Sequence, residues 1–265
     1  MADINWKKPF PVADLTGFAL LIGALIWLVV NGTRFLGYNW QWYRVPHFVV
    51  SVSDGRLFPG PLAEGLLTTL KISGISLVLA FAIGLTTAIL RLSTSFVGRS
   101  LARAYLEIIR NTPLLVQLFF IYFVLSPVLD ISRFASAVLA LSLFEGAYAS
   151  EIFRAGIISI PRGQWEAAFS SGLSTAQTYR YIVFPQAMRQ ILPPITGQAI
   201  SLIKDSALVS TIAIYDLTMQ GQSIIAETFL TFEIWFTVAA IYLAITLILS
   251  GLANILENHY RLNRI

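Results

Sequence analysis

The sequence contains no cysteine and two histidines, His47 and His259. Without cysteine the chain has no disulfide, no thiol nucleophile and no thiolate metal site. The two histidines are far apart in the sequence, so we expect no histidine-based metal site. Charged residues are also scarce, at 12% of the chain, whereas soluble domains carry about 25%. The composition therefore argues against a soluble fold.

Because charges are scarce, the sequence contains long apolar runs. A helix needs about 20 apolar residues to cross a bilayer. Four runs lack any charge: 15–33, 72–90, 111–129 and 234–256. Two further runs are interrupted by charged side chains: 134–158, with Glu145 and Glu151, and 190–214, with Lys204 and Asp205. We therefore predict an all-α, polytopic membrane protein with six spans.

Positive charges are distributed unevenly between the segments that join these runs. With six spans and both termini on the inner side, the inner segments carry twelve Lys and Arg residues and the outer segments four. Lys7, Lys8, Arg261 and Arg264 are among the twelve. An excess of Lys and Arg marks the cytoplasmic side. We expect a multi-pass protein of the cell inner (plasma) membrane with both termini cytoplasmic, and we interpret the net charge of +4 as this topological signal, with no nucleic acid partner.

The N-terminal part contains the first span and an aromatic outer segment. Lys7 and Lys8 precede the span as in a signal peptide, but no small-x-small cleavage site follows it cleanly, so we expect a retained helix. Trp and Tyr are dense between this span and residue 61, which favours an interfacial belt or a short flat helix, with an external partner as the alternative. We predict an N-terminal span and periplasmic segment over 1–61 and a transmembrane domain over 62–265.

The inner loop 159–190 has its own start and stop signals. Pro161 is placed to start a helix and Gly172 to end it. Ser174 with Gln177 three residues later predicts a capping box that opens a second helix over 175–183. We call residues 161–183 the elbow. Four of its residues recur at helical spacing as one apolar stripe: Trp165, Ala168, Phe169 and Gly172.

Two interpretations of the elbow are open at this point. An amphipathic helix on lipid headgroups would place Lys and Arg beside a Leu and Phe stripe. The second helix of the elbow is instead mostly small and hydroxylic, which favours docking into a protein groove. A loop of about thirty residues is also longer than a simple connection requires.

The elbow also carries a family signature. Glu166-Ala167-Ala168, three residues, Gly172, nine residues, Ile182, two residues and Pro185 resemble the EAA motif of permease subunits of ATP-binding-cassette (ABC) importers. The pattern departs at Phe184, where Leu is usual. Three further stretches resemble the permeases of polar amino acid importers of the histidine, glutamine and glutamate type: RNTPLLVQLFFIYF, EGAYASEIFRAGIISIPRGQWEAA and SLIKDSALVSTIAIYDL. The resemblance covers about residues 62–260.

The resemblance implies the type I ABC importer transmembrane fold, with a five-helix core and one extra N-terminal span. It implies a second permease subunit (a copy of this chain or a paralogue), ABC ATPase subunits and a periplasmic amino acid-binding protein. The elbow would insert into a cleft of the ATPase and drive alternating access. The residues implied for this coupling are Glu166, Ala167, Ala168, Gly172, Ser174 and Tyr179. Because the sequence has no G-x-x-x-x-G-K-[ST] loop, ATP and Mg²⁺ would be bound by the ATPase.

Ionisable residues inside predicted spans are functional candidates. Glu145 lies near mid-membrane, where its carboxylate could face the ammonium group of an amino acid. Lys204 and Asp205 follow 14 uncharged residues and point about 100° apart on a helix, so each is expected to have its own partner. An interhelical salt bridge in the subunit pair, direct substrate contact and a gating role all remain open.

Two smaller patterns favour structural roles. Glu151 and Arg154 are spaced as an ordinary exposed pair. In NTPLL, residues 111–115, we expect Asn111 or Thr112 to cap a helix that begins at Pro113, rather than to line a gate.

Two other functional classes compete with an ABC importer. An ion-coupled secondary transporter or channel would need its own coupling-ion site and no docking elbow, and the inverted repeats common in such folds are not visible. A membrane enzyme would need a nucleophile with its base or a metal cluster, and the sequence suggests neither. The identity of the transported amino acid does not follow from the sequence.

Overall fold

The computed structural model describes residues 12–35, 37–53 and 56–262. The chain divides into two compact units, Met1–Trp42 and Tyr43–Ile265. Lys7, Lys8 and Arg264, which contribute to the predicted charge asymmetry, lie outside the described residues.

The smaller unit contains helix α1, Val12–Phe35, which coincides with the first predicted span. It is long and apolar enough to cross a membrane. Beyond α1, the rings of Tyr38 and Trp40 meet edge to face at 5.4 Å, and those of Trp40 and Trp42 stack at 5.7 Å. The aromatic segment predicted from the sequence is therefore a set of interacting rings.

A short 3₁₀ turn, Trp42–Arg44, leads into the larger unit. This unit opens with helix α2, Val45–Val49, and an antiparallel hairpin of β1, Val50–Ser53, and β2, Arg56–Pro59. The register runs from Val50 opposite Pro59 to Ser53 opposite Arg56. The predicted all-α membrane class is confirmed, and this short hairpin of eight residues is an addition that the sequence analysis did not include. Asp54-Gly55, which separates the two strands in the sequence, is a common hairpin dipeptide and was the overlooked signal.

The rest of the larger unit is helical. Its first half comprises α3, Pro61–Leu92; α4, Phe96–Arg110; α5, Leu114–Phe119; a π-helical stretch, Phe120–Leu125; α6, Ser126–Leu129; and α7, Arg133–Ile158. Its second half comprises α8, Arg162–Ser170; α9, Thr175–Thr178; a π-helical turn, Tyr179–Val183; α10, Phe184–Asp205; a 3₁₀ stretch, Ser206–Ile212; α11, Leu217–Thr228; and α12, Thr231–Leu262.

Four described helices are long and apolar enough to cross a membrane, namely α1, α3, α7 and α12. The helices Phe96–Arg110 and Leu114–Leu129 pass the same length and composition test only when taken together, and they meet at a bend of 106°, as in a broken span or a re-entrant loop. The sixth predicted span corresponds to α10, which has 22 residues but is too polar to qualify by composition. Its apolar side chains Ala187, Ile191 and Leu202 are buried against protein, so α10 needs less lipid-facing apolar surface.

The inner loop 91–110 of the sequence prediction contains an amphipathic helix, α4. Ser95 caps this helix, with its Oγ accepting a hydrogen bond from the Gly98 N–H at 3.1 Å. Gly98, Ala102, Leu106 and Ile109 form its buried face. The segment therefore packs on the bundle as an ordered helix.

Helices α3 and α7 run in the same direction and form the closest helix pair of the bundle. A Cβ added at Gly84 would lie 2.8 Å from the Ala149 Cβ and 3.0 Å from the Gly146 carbonyl oxygen. Ser142 Oγ adds a bond to the Ser76 carbonyl at 3.4 Å. Small side chains allow this approach, as in helix pairs within lipid.

The bundle has two distinct ends. We call the end where α3 begins beside the hairpin the hairpin end, and the end where α7 stops and α10 starts the elbow end. A core of apolar side chains fills the space between the helices nearer the hairpin end, including Ile72, Leu118, Leu141, Leu202 and Val209. A separate cluster at the elbow end contains Ile157, Ile160, Val183, Ala187 and Ile191.

Candidate functional site

The first arm of the elbow is a short helix that ends in a Schellman motif. Pro161 is the N-cap of α8. At the other end Gly172 has φ +77°. The Gly172 N–H donates to the Phe169 carbonyl at 2.9 Å and the Leu173 N–H to the Ala168 carbonyl at 3.1 Å. Glycine adopts this left-handed conformation without a Cβ penalty, so the predicted stop is confirmed.

The second arm begins with the predicted capping box. The Ser174 N–H donates to Gln177 Oε1 at 2.9 Å, and the Gln177 N–H donates to Ser174 Oγ at 3.4 Å. Helix α9 then continues through the π-helical turn directly into α10. Pro185 lies directly after the π-helical turn, at the start of α10. The second arm is therefore the first part of a long helix.

An aromatic pair closes the angle between the two arms. The Trp165 and Tyr179 rings meet edge to face with centroids 5.1 Å apart. Phe184 lies next to Tyr179, with ring centroids 6.4 Å apart. The Phe that replaces the usual Leu of the motif therefore packs against the elbow. Ala168, on the same arm as Trp165, is buried at 4% exposure.

The elbow presents a mixed surface to the outside. Glu166, Ala167 and Ser174 are exposed, and Phe169 is 47% exposed. Within the apolar stripe, Phe169 therefore lies on the outer surface of the elbow, whereas Ala168 is buried. Of the predicted coupling residues, Ala168 and Tyr179 lie inside the elbow, while the others lie on or at its surface.

The elbow is joined tightly to the bundle. Gly156, near the end of α7, lies directly against the Ile191 side chain of α10, leaving no room for a Cβ. Trp165 and Tyr179 pack on the apolar cluster at the elbow end. A displacement of the elbow would therefore be transmitted to both α7 and α10.

A second candidate site lies inside the bundle, where α7 faces α10. Glu145 is 1% exposed, and its Oε2 accepts a hydrogen bond from Gln198 Nε2 at 2.5 Å. Its other oxygen, Oε1, has no hydrogen-bond partner. A buried carboxylate oxygen without a partner is costly, so Glu145 retains acceptor capacity for a ligand donor.

Asp205 and Lys204 diverge as predicted. The Asp205 carboxyl lies close enough to Glu145 for the two groups to interact electrostatically. Lys204 is exposed and makes no ion pair within residues 56–262. The structure therefore brings Glu145 and Asp205 together with Gln198, which the sequence prediction missed because an amide carries no charge signal.

Glu151 and Arg154 are not the ordinary exposed pair that the sequence suggested. Glu151 Oε1 lies 2.6 Å from Arg91 Nη1 and 3.1 Å from Arg110 Nη1, and its Oε2 lies 3.3 Å from Arg154 Nη2. One carboxylate thus connects α3, α4 and α7. Arg91 and Arg110 lie 60 and 41 residues from Glu151 in the sequence, so residue spacing within one helix could not predict these ion pairs.

The capping prediction for NTPLL is also wrong. Thr112 Oγ1 donates to the Ile108 carbonyl at 2.8 Å, and Asn111 Nδ2 donates to the Glu107 carbonyl at 2.7 Å. Both side chains therefore close the end of α4. Helix α5 starts at Leu114 with no side-chain cap, and Gln117 reaches back to the Ile109 carbonyl at 2.7 Å.

Within the described parts of the chain, no three His, Asp or Glu side chains are grouped to hold a metal ion. Polar side chains of the larger unit meet at several places, among them the elbow, the Glu145 cluster and the Glu151 cluster.

Comparisons with known proteins identify relatives of the chain. Residues 80–262 match the family model described as binding-protein-dependent transport system inner membrane component. The chain is 41% identical over 204 residues to the glutamine transport system permease protein GlnP of Escherichia coli, covering 76% of this chain and 93% of that protein. It is 43% identical over 211 residues to the nopaline transport system permease protein NocM of Agrobacterium fabrum, covering 76% of this chain and 87% of that protein.

Solved structures share the fold. A crystal structure of an amino acid ABC transporter with histidines superposes with a TM-score of 0.70 at 38% identity, covering 75% of this chain and 94% of that chain. An inward-facing MetNI methionine ABC transporter structure gives a TM-score of 0.63 at 18% identity, covering 75% of this chain and 95% of that chain. The second similarity is one of fold alone.

Proposed function

The chain belongs to the family of binding-protein-dependent transport system inner membrane components, and on that premise we propose that its elbow is the surface through which a separate ATPase drives transport. The chain is a permease subunit of an ABC importer, as are its relatives. The ion-coupled secondary transporter considered from the sequence has no support in these relationships.

The observation that carries this proposal is the preformed elbow. Both of its arms are capped, the Trp165–Tyr179 pair fixes their angle, and its outer surface exposes Glu166, Ala167 and Phe169. Capping groups and ring contacts reduce the entropy lost on docking. ATP and Mg²⁺ belong on the ATPase, since the chain has no phosphate-binding glycine loop.

The elbow end faces the cytoplasm in this proposal, with both termini on the same side. Arginine supports that orientation: Arg91, Arg99, Arg103, Arg110, Arg154, Arg162, Arg180 and Arg189 lie in the elbow-end segments. The corresponding segments at the hairpin end carry Arg44, Arg56 and Arg133. Lys and Arg concentrate on the cytoplasmic side of membrane proteins.

A second permease subunit completes the translocation path. An apolar groove of about 350 Å³ between α3, α10 and α12 supports this pairing. Gly74, Ala199 and Ala253 line the groove, and nothing lies within 4 Å of a Cβ built at Gly74. Small residues of this kind allow another helix to approach closely. A periplasmic binding protein would deliver substrate at the hairpin end.

The substrate proposed is a polar amino acid. Relatives are named for glutamine, nopaline and L-cystine, which all carry a protonatable α-nitrogen next to a carboxylate. The adjacent carboxyl groups of Glu145 and Asp205 are suited to accept from an ammonium group. Lys204 would add a donor for the substrate carboxylate.

Reconstituted transport tests this function. Proteoliposomes would contain the chain with its ATPase and, on the hairpin side, its binding protein, and uptake of labelled glutamine, glutamate, histidine and arginine would be measured. We expect uptake of at least one amino acid that requires ATP on the elbow side. Uptake driven by a proton or sodium gradient without ATP would overturn the proposal.

The role of Glu145 has its own test in the same vesicles. Glu145→Gln retains the shape of the side chain but removes the negative charge, so we expect ATP-dependent uptake to fall at least about tenfold, equivalent to losing one charge-assisted hydrogen bond. Glu227→Gln, an exposed carboxylate near the end of α11, is the matched control. Unchanged uptake in Glu145→Gln with an intact complex would exclude substrate contact.

A further inference from the structure

A polar cavity of about 420 Å³ lies at the elbow end between α4 and α7. It is separate from both the elbow and the Glu145 cluster. Its lining is dominated by charged and aromatic side chains: Arg91, Arg103, Arg110, Glu107, Tyr148 and Glu151. The proposed import mechanism assigns no role to this cavity.

The cavity carries more positive than negative charge. Glu151 is shared between Arg91, Arg110 and Arg154, so one carboxylate serves three guanidinium groups. Glu107 accepts a hydrogen bond from Asn111 Nδ2 at 3.0 Å. With Arg103 included, four arginines and two carboxylates lie in or next to the cavity. The cavity therefore has a net positive charge.

Arg103 is the guanidinium group most available to a ligand. It is exposed and makes no ion pair with any residue in 56–262. Arg110 keeps 46% of its side chain exposed despite its contact with Glu151. Guanidinium groups bind phosphate oxygens in a bidentate manner, so the cavity is chemically suited to a phosphate group.

A second exposed face of α4, separate from the face that lines this cavity, is apolar. Val97 is 65% exposed, Leu101 64% and Ile108 64%. At 100° per residue these side chains form one stripe, which lies roughly 120° around the helix both from the face of Arg103 and Glu107 and from the buried face. Because α4 bends by 106° from the α5–α6 segment, it lies close to the membrane plane when that segment crosses the bilayer.

An interfacial helix with adjacent apolar and basic faces is typical of a lipid-binding surface. Basic pockets between helices on the cytoplasmic side bind acidic lipid headgroups. A free phosphate ion would use the arginines but would leave the apolar stripe uncovered. The combination of both features therefore favours a phospholipid over a soluble anion.

We propose that the cavity between α4 and α7 binds the phosphate of an anionic phospholipid from the leaflet at the elbow end, with the acyl chains along Val97, Leu101 and Ile108. Bound lipid supplies the negative charge that the cluster lacks. It contacts α4 and α7 at once, and α7 leads directly into the elbow. The site goes beyond the proposed import function.

Lipid retention by the full-length chain tests the site. The chain would be purified with its co-purifying partners, exchanged into detergent with defined phosphatidylglycerol or phosphatidylcholine, and examined by native mass spectrometry. We expect wild type to retain phosphatidylglycerol but not phosphatidylcholine. Arg103→Gln should weaken retention about tenfold, the effect of losing one charge-assisted contact.

Arg99→Gln is the matched control, because Arg99 is exposed on the same helix but does not line the cavity. If Arg99→Gln and Arg103→Gln reduce phosphatidylglycerol retention equally, the lipid is held by general charge attraction and the proposed site is wrong. Leu101→Gln should also weaken phosphatidylglycerol retention. If inorganic phosphate displaces the lipid fully and Leu101→Gln has no effect, the site binds a soluble anion and the lipid proposal is wrong.

Discussion

The Trp165 and Tyr179 rings meet edge to face across the elbow, with centroids 5.1 Å apart and planes at 84°. Trp165 belongs to the short helix α8, whereas Tyr179 belongs to the continuous helix that becomes α10. The pair therefore fixes the angle at which the elbow leaves the bundle. If an ATPase docks on the elbow as proposed, this angle sets how its motion reaches the transmembrane helices.

Removing this ring contact should loosen the elbow without unfolding the bundle. Edge-to-face pairs contribute about 0.5–1.5 kcal/mol beyond burial. We expect Trp165→Ala to increase hydrogen exchange over 162–178 and to reduce ATP-dependent uptake, while Trp165→Phe retains most activity. Tyr181→Ala, an exposed ring two residues beyond Tyr179, is the control. Equal effects from Tyr181→Ala and Trp165→Ala would contradict the assignment.

The two glycines of the elbow should respond oppositely to alanine. Gly172 has φ +77° with open space around it, so Gly172→Ala adds backbone strain of about 1–2 kcal/mol. Gly163 lies within α8 and also has open space, and alanine there should favour the helix by up to about 1 kcal/mol.

Hydrogen exchange of the α8 amides measures both effects in the isolated chain. Faster exchange in Gly172→Ala and unchanged or slower exchange in Gly163→Ala is the expected result. If Gly172→Ala exchanges like wild type, the left-handed turn is not what holds the end of α8.

A second pair of glycines tests the packing of α3 on α7. A Cβ at Gly84 would approach the Ala149 Cβ to 2.8 Å, whereas nothing lies within 4 Å of one at Gly74. Overpacking costs about 1–3 kcal/mol, so Gly84→Ala should lower the midpoint of thermal unfolding in detergent. Gly74→Ala should leave it unchanged or raise it. Equal midpoints for the two variants would show that α3 and α7 pack less tightly than described.

The membrane bundle and the elbow were largely predictable because their signals are local. Long stretches without charged residues predicted the membrane helices. The left-handed preference of Gly172 predicted the end of α8, and the capping preference of Ser174 predicted the start of α9. The spacing of the EAA motif from Glu166 to Pro185 indicated the family. Each of these signals lies within about one helical span of sequence.

The features that sequence reasoning missed depend on distant partners. The sequence around Glu151 does not predict its ion pair with Arg91, because Arg91 belongs to α3 and reaches the carboxylate only through tertiary packing. Thr112 could cap either neighbouring helix, and the bend after α4 directed its hydroxyl backward to Ile108. Gln198 was overlooked because a neutral amide becomes informative only beside a buried carboxylate.

A single-cysteine crosslink tests the central claim most directly. The sequence contains no cysteine, so Ala167→Cys places a unique thiol on the exposed face of the elbow. We predict that, in membranes containing the complete transporter, a short thiol-to-amine crosslinker joins this cysteine to the ATPase and that ATP changes the yield. Leu57→Cys, on the exposed hairpin, should give no ATPase adduct. No adduct from Ala167→Cys, or an equal adduct from Leu57→Cys, would contradict the account of the elbow as the ATPase docking surface.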